Sequence, residues 1–226
     1  MNPDEIESLV KSVSYWNHTI KLGHIATPGL SSLEYQNFKS QAIPQNLEDK
    51  TVLDIGSNNG YFSFLCEERG AKRVVAIDDM VQSPPDILRG FEIAKQILRS
   101  KAEFKKLSVY EVEKLQEQFD ITLFLDVYYH LEDPIGAFRK VASVTRELMA
   151  FAGLATLDDR PVAYLLRPCE LHKDDASNCW VASLKCLERM FARAGFSNWR
   201  MLGTIPEEAH PVPNASTVRV SYAVYK

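Results

Sequence analysis

The stretch that decides the fold is Thr51-Val52-Leu53-Asp54-Ile55-Gly56-Ser57-Asn58-Asn59-Gly60. Its first five residues are apolar or favour β structure, apart from Asp54, so they predict a buried strand. Gly56 tolerates a left-handed backbone and lets a ligand come close to the main chain. Apolar residues at helical spacing after Gly60 predict a helix that ends at Gly70. A strand, a glycine turn and a helix in this order are typical of the place where open α/β sheets bind nucleotide-like cofactors.

Strands and helices alternate through the rest of the chain, which predicts a mostly parallel sheet with helices on both faces. Further strands are expected at residues 73–77, 104–109, 119–125, 147–152, 199–202 and 218–225, the last of them at or near the sheet edge. Helices are expected from Asn2, at 33–42, at 86–100, from Pro134 and at 183–194. Residues 156–176 mix charged residues with prolines and predict an insertion or loop.

The first 45 residues differ in pattern from the remainder of the chain. A capped helix at the start is followed by the irregular aromatic segment 15–29, which contains a Pro-Gly turn. We expect residues 1–45 to form a helical arm or lid and residues 46–226 to form the main domain. The segment either closes over a site as a flap or packs as an N-terminal arm, and its sequence leaves both open.

Composition excludes several classes of protein. The chain has 226 residues and a formal net charge of -4, without a polybasic tract, so it lacks the bulk charge of a nucleic-acid binder. Four cysteines without a C-x-x-C pair predict reduced thiols in a cytoplasmic protein. The acidic N-terminus is unlike a signal peptide, and no apolar run reaches the ~18 residues of a membrane span. The histidines lack metal-ligand spacing, so no metal is expected.

The residues around the glycine turn discriminate between two kinds of cofactor. A dinucleotide calls for the pattern G-x-G-x-x-G, whereas Ser57, Asn58 and Asn59 follow Gly56. Asp54 would also place a negative charge beside a pyrophosphate, but it suits a cationic group such as the ammonium of a methionine moiety. The pattern therefore favours S-adenosylmethionine, and a dinucleotide oxidoreductase remains the alternative.

Several motifs together resemble a known family, the class I S-adenosylmethionine-dependent methyltransferases. More narrowly, the chain is similar to the group related to the enzyme that completes 5-oxyacetic acid uridine at the tRNA wobble position. The motifs that carry the resemblance are Trp16-x-His18-x-Ile20-x-Leu22-Gly23 with Thr27-Pro28-Gly29, residues 52–60, Tyr129-His130-Leu131 with Asp133-Pro134, and Asn178-Cys179-Trp180. The resemblance implies a Rossmann-like, seven-stranded, mostly parallel sheet whose final strand inserts antiparallel.

The resemblance also implies roles for individual residues. Those expected to bind the cofactor are Asp54, Gly56, Ser57, Gly60, Asp78, Asp79, Ser108, Val109 and Asp126. Within this set, Asp78 ends the second strand, where a carboxylate accepts hydrogen bonds from ribose hydroxyls. Ser108 and Val109 would hold the adenine edge, and Asp126 would lie near the methionine end.

The expected catalytic residues are Tyr129 and His130, at the mouth of the site beside the methyl group. His130 either acts as general base, since its ordinary pKa is near neutrality, or merely shapes the loop. Tyr129 either hydrogen-bonds a ligand or packs beneath the loop. Trp16, His18 and Trp180 are candidates for binding the substrate, with core packing as the alternative for each.

One departure from the group bears on the transferred moiety. The tRNA enzyme uses a carboxylated cofactor held by a lysine of its N-terminal part, and the matching place in this chain holds His24 or a nearby uncharged residue. We therefore expect ordinary S-adenosylmethionine and methyl transfer to an oxygen or nitrogen of a small-molecule metabolite. The alternatives are a tRNA wobble-uridine methyltransferase and a non-catalytic cofactor-binding partner protein.

Overall fold

The computed structural model describes residues 1–80, 86–172, 175–208, 211 and 215–226. The helices in the described part are α1 (Pro3–Lys11), α2 (Leu33–Ser40), α3 (Tyr61–Glu68), α4 (Ile87–Leu98), α5 (Pro134–Val144) and α6 (Leu184–Ala194), with 3-10 turns at Val109–Leu115 and Tyr128–His130. The strands there are β1 (Lys21–Leu22), β2 (Ile25–Ala26), β3 (Thr51–Ile55), β4 (Arg73–Asp78), β5 (Glu103–Lys106), β6 (Phe119–Leu125), β7 (Thr145–Thr156), β8 (Ala163–Leu165), β9 (Trp180–Ala182), β10 (Asn198–Pro206) and β11 (Thr217–Tyr225).

Seven of these strands form the central sheet, in the order β10-β11-β7-β6-β3-β4-β5. The strands from β7 to β5 pair in parallel, whereas β11 inserts antiparallel between β7 and β10. The predicted fold class is confirmed, including the antiparallel final strand. The strand predicted at 199–202 is the longer β10, which forms the edge of the sheet, and β11 lies next to it.

Alternate residues of the central strand enter two hydrophobic clusters on opposite faces of the sheet. Val52 packs in the cluster that contains residues of α1, α3 and α4, and Leu53 packs in the cluster that contains residues of α5 and α6. Both faces are covered, which explains why β3 reads as a nearly continuous apolar run. The first cluster also takes in Trp16 and Leu22, so the N-terminal segment shares a core with the sheet.

Smaller features differ from the sequence-based expectations. Leu33 begins α2 and is 50% exposed, whereas Phe38 of the same helix and the following Ile43 are buried. The expected loop at residues 156–176 contains β8, which pairs antiparallel with β9. Asn2 caps α1 with a reciprocal hydrogen bond to Glu5, as predicted.

The described residues include neither a membrane-spanning helix nor a cluster of metal ligands. No helix in that part of the chain combines the length and the apolar character that crossing a membrane requires. Nor do three or more His, Cys, Asp or Glu side chains there come together in an arrangement that could hold a metal ion.

Candidate cofactor and catalytic site

The turn after β3 needs glycine at two positions. Gly56 has φ +72°, and an added Cβ would lie 2.7 Å from Cγ2 of Val127. Gly60 has φ +88°, and an added Cβ would lie 2.6 Å from the ring of Phe91. The positive φ and the short Cβ distance each exclude a side chain at these positions. The backbone between β3 and α3 is therefore free of side chains at Gly56 and Gly60.

Asp54 is buried near the end of β3 and is hydrogen-bonded to α3. It is 2% exposed, and Ser63 of α3 donates a hydrogen bond to Oδ2 at 2.6 Å. Burial raises the pKa of Asp54 to about 6 against the effect of the Ser63 hydrogen bond, and the nearby charge of Asp78 adds to the rise. A carboxylate whose charge is so poorly compensated is suited to a cationic ligand group.

Two buried polar atoms near the corner lack hydrogen-bond partners within the described part of the chain. They are Oγ of Ser57 and Nδ1 of His18, whose residues are 2% and 3% exposed. Buried polar atoms are nearly always satisfied in folded proteins, so unsatisfied ones need an explanation. The hydroxyl of Ser57, on the glycine turn itself, fits a ligand such as S-adenosylmethionine that carries several hydrogen-bonding groups.

A second acidic residue lies at the end of the adjacent strand. Asp78 ends β4 and accepts hydrogen bonds from the backbone N–H of Asn58 at 3.1 Å and of Met80 at 3.0 Å. These bonds tie the carboxylate to the glycine turn. Asp79, the next residue, is half-buried.

The segment expected to hold the adenine edge is joined to Asp78. The N–H of Leu107 donates to the carbonyl of Asp78 at 3.1 Å, just before Ser108 and Val109. The side chain of Ser108 caps the following 3-10 turn, and Val109 is buried. The structure thus brings the ribose and adenine candidates to one edge of the sheet, and their contacts with a cofactor remain predictions.

The N-terminal segment lies against the glycine turn. The backbone N–H of Asn17 donates to Oδ1 of the fully buried Asn59 at 2.7 Å. The next ring, that of His18, lies 5.4 Å from Phe62 and 5.9 Å from Tyr61, measured between centroids. Burial lowers the pKa of His18 to about 3, so the ring is neutral.

Trp16 and Gly29 fix the path of this arm. Trp16 is 3% exposed, and its indole N–H donates to the carbonyl of Val10 at 3.1 Å. This position favours the packing alternative for Trp16. An added Cβ on Gly29 would lie 2.2 Å from the carbonyl carbon of His18, so glycine is required where the two backbones cross.

Asp126, which follows β6, is the centre of a charged cluster. Tyr35 donates to its two carboxylate oxygens at 2.8 and 2.7 Å, and Lys39 donates to Oδ2 at 2.9 Å. Arg219 of β11 lies 3.4 Å from Oδ1. Burial opposes the charge of Asp126, but Lys39 and Arg219 outweigh it and hold the pKa of the carboxyl well below its usual range.

The two tyrosines after Asp126 face different surroundings. Tyr128 is fully buried in the core; its hydroxyl donates to the carbonyl of Leu154 at 2.5 Å and accepts from the N–H of Ala182 at 3.2 Å. Tyr129 accepts a hydrogen bond from Arg219 at 2.9 Å, which attaches it to the Asp126 cluster. Burial and then the charge of Asp126 raise the pKa of Tyr129, so its hydroxyl keeps its proton.

His130 belongs to a hydrogen-bond chain that sets its tautomer. Its Nδ1 lies 2.8 Å from Oγ of Ser177, and that hydroxyl donates its proton to Oδ1 of Asp175. Ser177 must then accept from Nδ1–H, which leaves the lone pair on Nε2. Burial lowers the pKa of His130 despite the charge of Asp175, so the neutral base is present at pH 7.

The segment before α6 lies against the loop that carries Tyr129 and His130. The N–H of Cys179 donates to the carbonyl of Tyr129 at 2.7 Å. The buried indole nitrogen of the next residue, Trp180, has no hydrogen-bond partner among the described residues. Trp180 therefore stays a candidate for binding the substrate.

Sequence reasoning missed Tyr35, Lys39, Ser177 and Arg219. The place matched to the lysine of the tRNA enzyme was assigned to His24, which is exposed near Glu7 on the arm, whereas the lysine that the N-terminal segment brings to Asp126 is Lys39. A lysine on a short helix otherwise looks like a surface residue. Its partner Asp126 is 87 positions away along the chain, so no local pattern could reveal the pair.

The fold and this corner define a class of protein. Three features are typical of S-adenosylmethionine-dependent methyltransferases. They are a sheet with an antiparallel penultimate strand, a corner of strand, glycine turn and helix, and acidic residues at the ends of two neighbouring strands. Residues 32–200 match the methyltransferase domain family, and the chain belongs to this family of S-adenosylmethionine-dependent enzymes. The cofactor expected from the sequence is thereby confirmed.

Relatives of known designation share part of their length with this chain. The tRNA U34 carboxymethyltransferase of Aliarcobacter butzleri (strain RM4018) is 29% identical over 159 residues, which cover 70% of this chain and 51% of that protein. The protein of the same designation from Campylobacter fetus subsp. fetus (strain 82-40) is 29% identical over 207 residues, which cover 88% of this chain and 69% of the Campylobacter protein. The chain thus spans about half of the Aliarcobacter protein.

Solved structures agree in fold at low sequence identity. The N-terminal domain of EvdMO1, crystallised in the presence of SAH and D-fucose, superposes with a TM-score of 0.76 over 100% of this chain and 97% of that chain, at 14% identity. The superposition on an arsenic (III) S-adenosylmethionine methyltransferase from Chlamydomonas reinhardtii has a TM-score of 0.63 at 17% identity. It covers 100% of this chain and 75% of the Chlamydomonas chain. These likenesses concern the fold.

Proposed function

We propose that the chain transfers the sulfonium methyl group of S-adenosylmethionine to an oxygen or nitrogen of its acceptor. The observation that carries the reaction is the chain of hydrogen bonds from Asp175 through Ser177 to His130, which presents an unprotonated Nε2. S-adenosylmethionine supplies an electrophilic methyl group. As the acceptor forms its bond to the methyl carbon and the sulfur–carbon bond breaks, Nε2 of His130 takes the proton that the acceptor loses.

The surrounding residues orient this base and the cofactor. Asp54, Ser57 and Asp78 are proposed to hold the methionine and ribose ends at the glycine turn. Tyr129 keeps its hydroxyl proton and is held by Arg219, so it is a fixed group beside the base. The gain from such placement comes from presenting the acceptor in line with the methyl group.

For the acceptor, we propose the uridine at the wobble position of tRNA. Support comes from the relatives designated tRNA U34 carboxymethyltransferases, which match up to 88% of the chain in the two alignments described above. The half-buried ring of Trp180, in the segment hydrogen-bonded to Tyr129 beside the base, offers a surface on which a nucleobase stacks. Because the chain spans half to two thirds of those relatives, the acceptor is a proposal for this chain.

The test measures transfer of a labelled methyl group from S-adenosylmethionine to two separate pools of acceptors. The protein is incubated with methyl-labelled S-adenosylmethionine and either unfractionated tRNA or a small-metabolite extract. Label in a nucleoside derived from position 34 after nuclease digestion supports the tRNA acceptor, and label confined to the metabolite extract contradicts it. Replacing His130 with alanine should lower kcat by about 10²–10⁴ with unchanged cofactor affinity, since a base contributes that much.

A small metabolite is the second candidate acceptor, and charge favours it. The formal net charge is -4. Arg160 and Arg167, exposed in the segment that precedes Trp180, are paired with Asp158 and Glu170 of the same segment. Arginines that are already paired with carboxylates attract phosphates weakly. Because phosphate contacts make tRNA binding depend on salt, a tRNA affinity that depends little on salt would favour the small metabolite.

A further inference from the structure

The carboxylate of Asp126 is surrounded by cations and hydroxyls from distant parts of the chain. Lys39 comes from α2, Arg219 from β11, and the side chains of Lys39, Arg219 and Asp126 are 4%, 14% and 16% exposed. Tyr35 completes the set with hydrogen bonds to both carboxylate oxygens. A buried lysine needs a counter-ion because an unpaired buried charge is costly.

Within the cluster, the charges divide into two pairs. Arg219 donates through Nε to Glu207 at 2.5 Å and through Nη1 to Tyr129 at 2.9 Å. Asp126 is therefore the close partner of Lys39, with Arg219 on its other side. If the Asp126 side chain were removed, Lys39, Arg219 and the hydroxyl of Tyr35 would line a hole of the size and chemistry of a carboxylate.

The position of this hole relates it to the transferred group. Asp126 directly precedes Val127, whose Cγ2 would lie 2.7 Å from a Cβ on Gly56 of the cofactor turn. Asp126 is also joined through Arg219 to Tyr129, next to the proposed base His130. The cluster thus adjoins residues that contact the cofactor turn on one side and precede the base on the other, and the proposed function places the methyl group near both.

A methyl and a carboxymethyl group on the sulfonium differ by one carboxylate. A carboxylated cofactor would bring a second anion to the place that Asp126 occupies, and two like charges in a buried site repel strongly. We propose that Asp126 determines which group is transferred: its side chain fills the anion site that a carboxymethyl group would need, so the enzyme accepts the methyl-bearing cofactor and rejects the carboxylated one.

The test is the ratio of two dissociation constants, for S-adenosylmethionine and for its carboxylated derivative, measured by calorimetry. The wild type should prefer S-adenosylmethionine by at least tenfold. Asp126→Gly opens the hole at a residue with φ +60°, where glycine is unstrained, and should reverse the preference by at least tenfold. Asp126→Asn removes the charge but keeps the hole filled, and should not gain the carboxylated cofactor.

A double variant separates the anion site from simple loss of bulk. Lys39→Met with Asp126→Gly leaves no unpaired lysine, so it should lose the preference for the carboxylated cofactor that the single variant gains. An equal gain in the double variant, or a wild type that binds both cofactors within tenfold, overturns the inference. If Asp126→Gly does not fold, the wild-type ratio still decides.

Failure of the inference differs visibly from failure of the proposed function. A wild type that binds neither cofactor contradicts the proposed function itself. A wild type that binds S-adenosylmethionine, together with an Asp126→Gly variant that does so and still rejects the carboxylated form, overturns only the assignment of Asp126.

Discussion

Asp54→Asn should make the cofactor-free protein more stable at neutral pH. The pKa of the carboxyl is raised by burial from its ordinary value of 3.8 to about 6. Each pKa unit corresponds to about 1.36 kcal/mol, so ionised Asp54 costs the fold about 3 kcal/mol at pH 7. Asparagine keeps the shape and an acceptor for the Ser63 hydroxyl, and it carries no charge to bury.

The sign of the pH dependence follows from the same values. The folded protein holds the Asp54 proton up to about pH 6, whereas the unfolded chain loses it near pH 3.8. The stability that protonated Asp54 contributes to the folded protein is therefore fully present below pH 3.8, and it is lost as the pH rises through 6. The advantage of Asp54→Asn should accordingly be about 3 kcal/mol at pH 7 and shrink toward zero near pH 4.

Urea unfolding followed by tryptophan fluorescence, at pH 5 and pH 7 without cofactor, measures this difference. The matched control is Asp120→Asn on the neighbouring strand β6. Asp120 accepts hydrogen bonds from the backbone N–H and the hydroxyl of Thr51, both at 2.8 Å, and its pKa is lowered, so the same substitution there should destabilise. A loss of stability in Asp54→Asn at pH 7, or a gain independent of pH, would refute the reasoning.

Other substitutions test the corner and the core. Ser57→Ala removes a hydroxyl that has no hydrogen-bond partner among the described residues. Thermal unfolding should therefore change little while the affinity for S-adenosylmethionine falls, and an unchanged affinity would contradict a cofactor contact of Ser57. Gly60→Ala should lower the melting temperature, because φ is +88° and Cβ would meet Phe91, and a neutral result would show that the turn adapts. Tyr128→Phe breaks two buried hydrogen bonds and should cost about 1–3 kcal/mol in urea unfolding, with unchanged stability as the refuting outcome.

The framework of the fold was accessible from sequence because its signals are local. The alternation around β3, the glycines of the turn and the capping residues at Asn2 each act within a few positions. Strand ends were less predictable: β7 runs from Thr145 to Thr156, beyond the predicted 147–152, because pairing with β6 and β11 extends it.

The charged part of the site was not accessible in the same way. Asp126 was recognisable from its place after a buried strand, but its partners Tyr35, Lys39 and Arg219 lie 87 to 93 positions away along the chain. Their side chains are ordinary polar residues in the sequence, and only the packing of α2 and β11 over the sheet gives them a common partner. The tautomer of His130 likewise depends on Ser177, 47 positions away.

The central claim is that S-adenosylmethionine binds at the glycine turn between β3 and α3, with its ribose on Asp78. Calorimetric titration of S-adenosylmethionine into the wild type and into Asp78→Ala tests it most directly, with NADH as the rival ligand. We predict binding by the wild type, at least tenfold weaker binding by the variant because charge-assisted hydrogen bonds are lost, and no binding of NADH. Absence of S-adenosylmethionine binding, undiminished affinity in Asp78→Ala, or binding of NADH instead would contradict it.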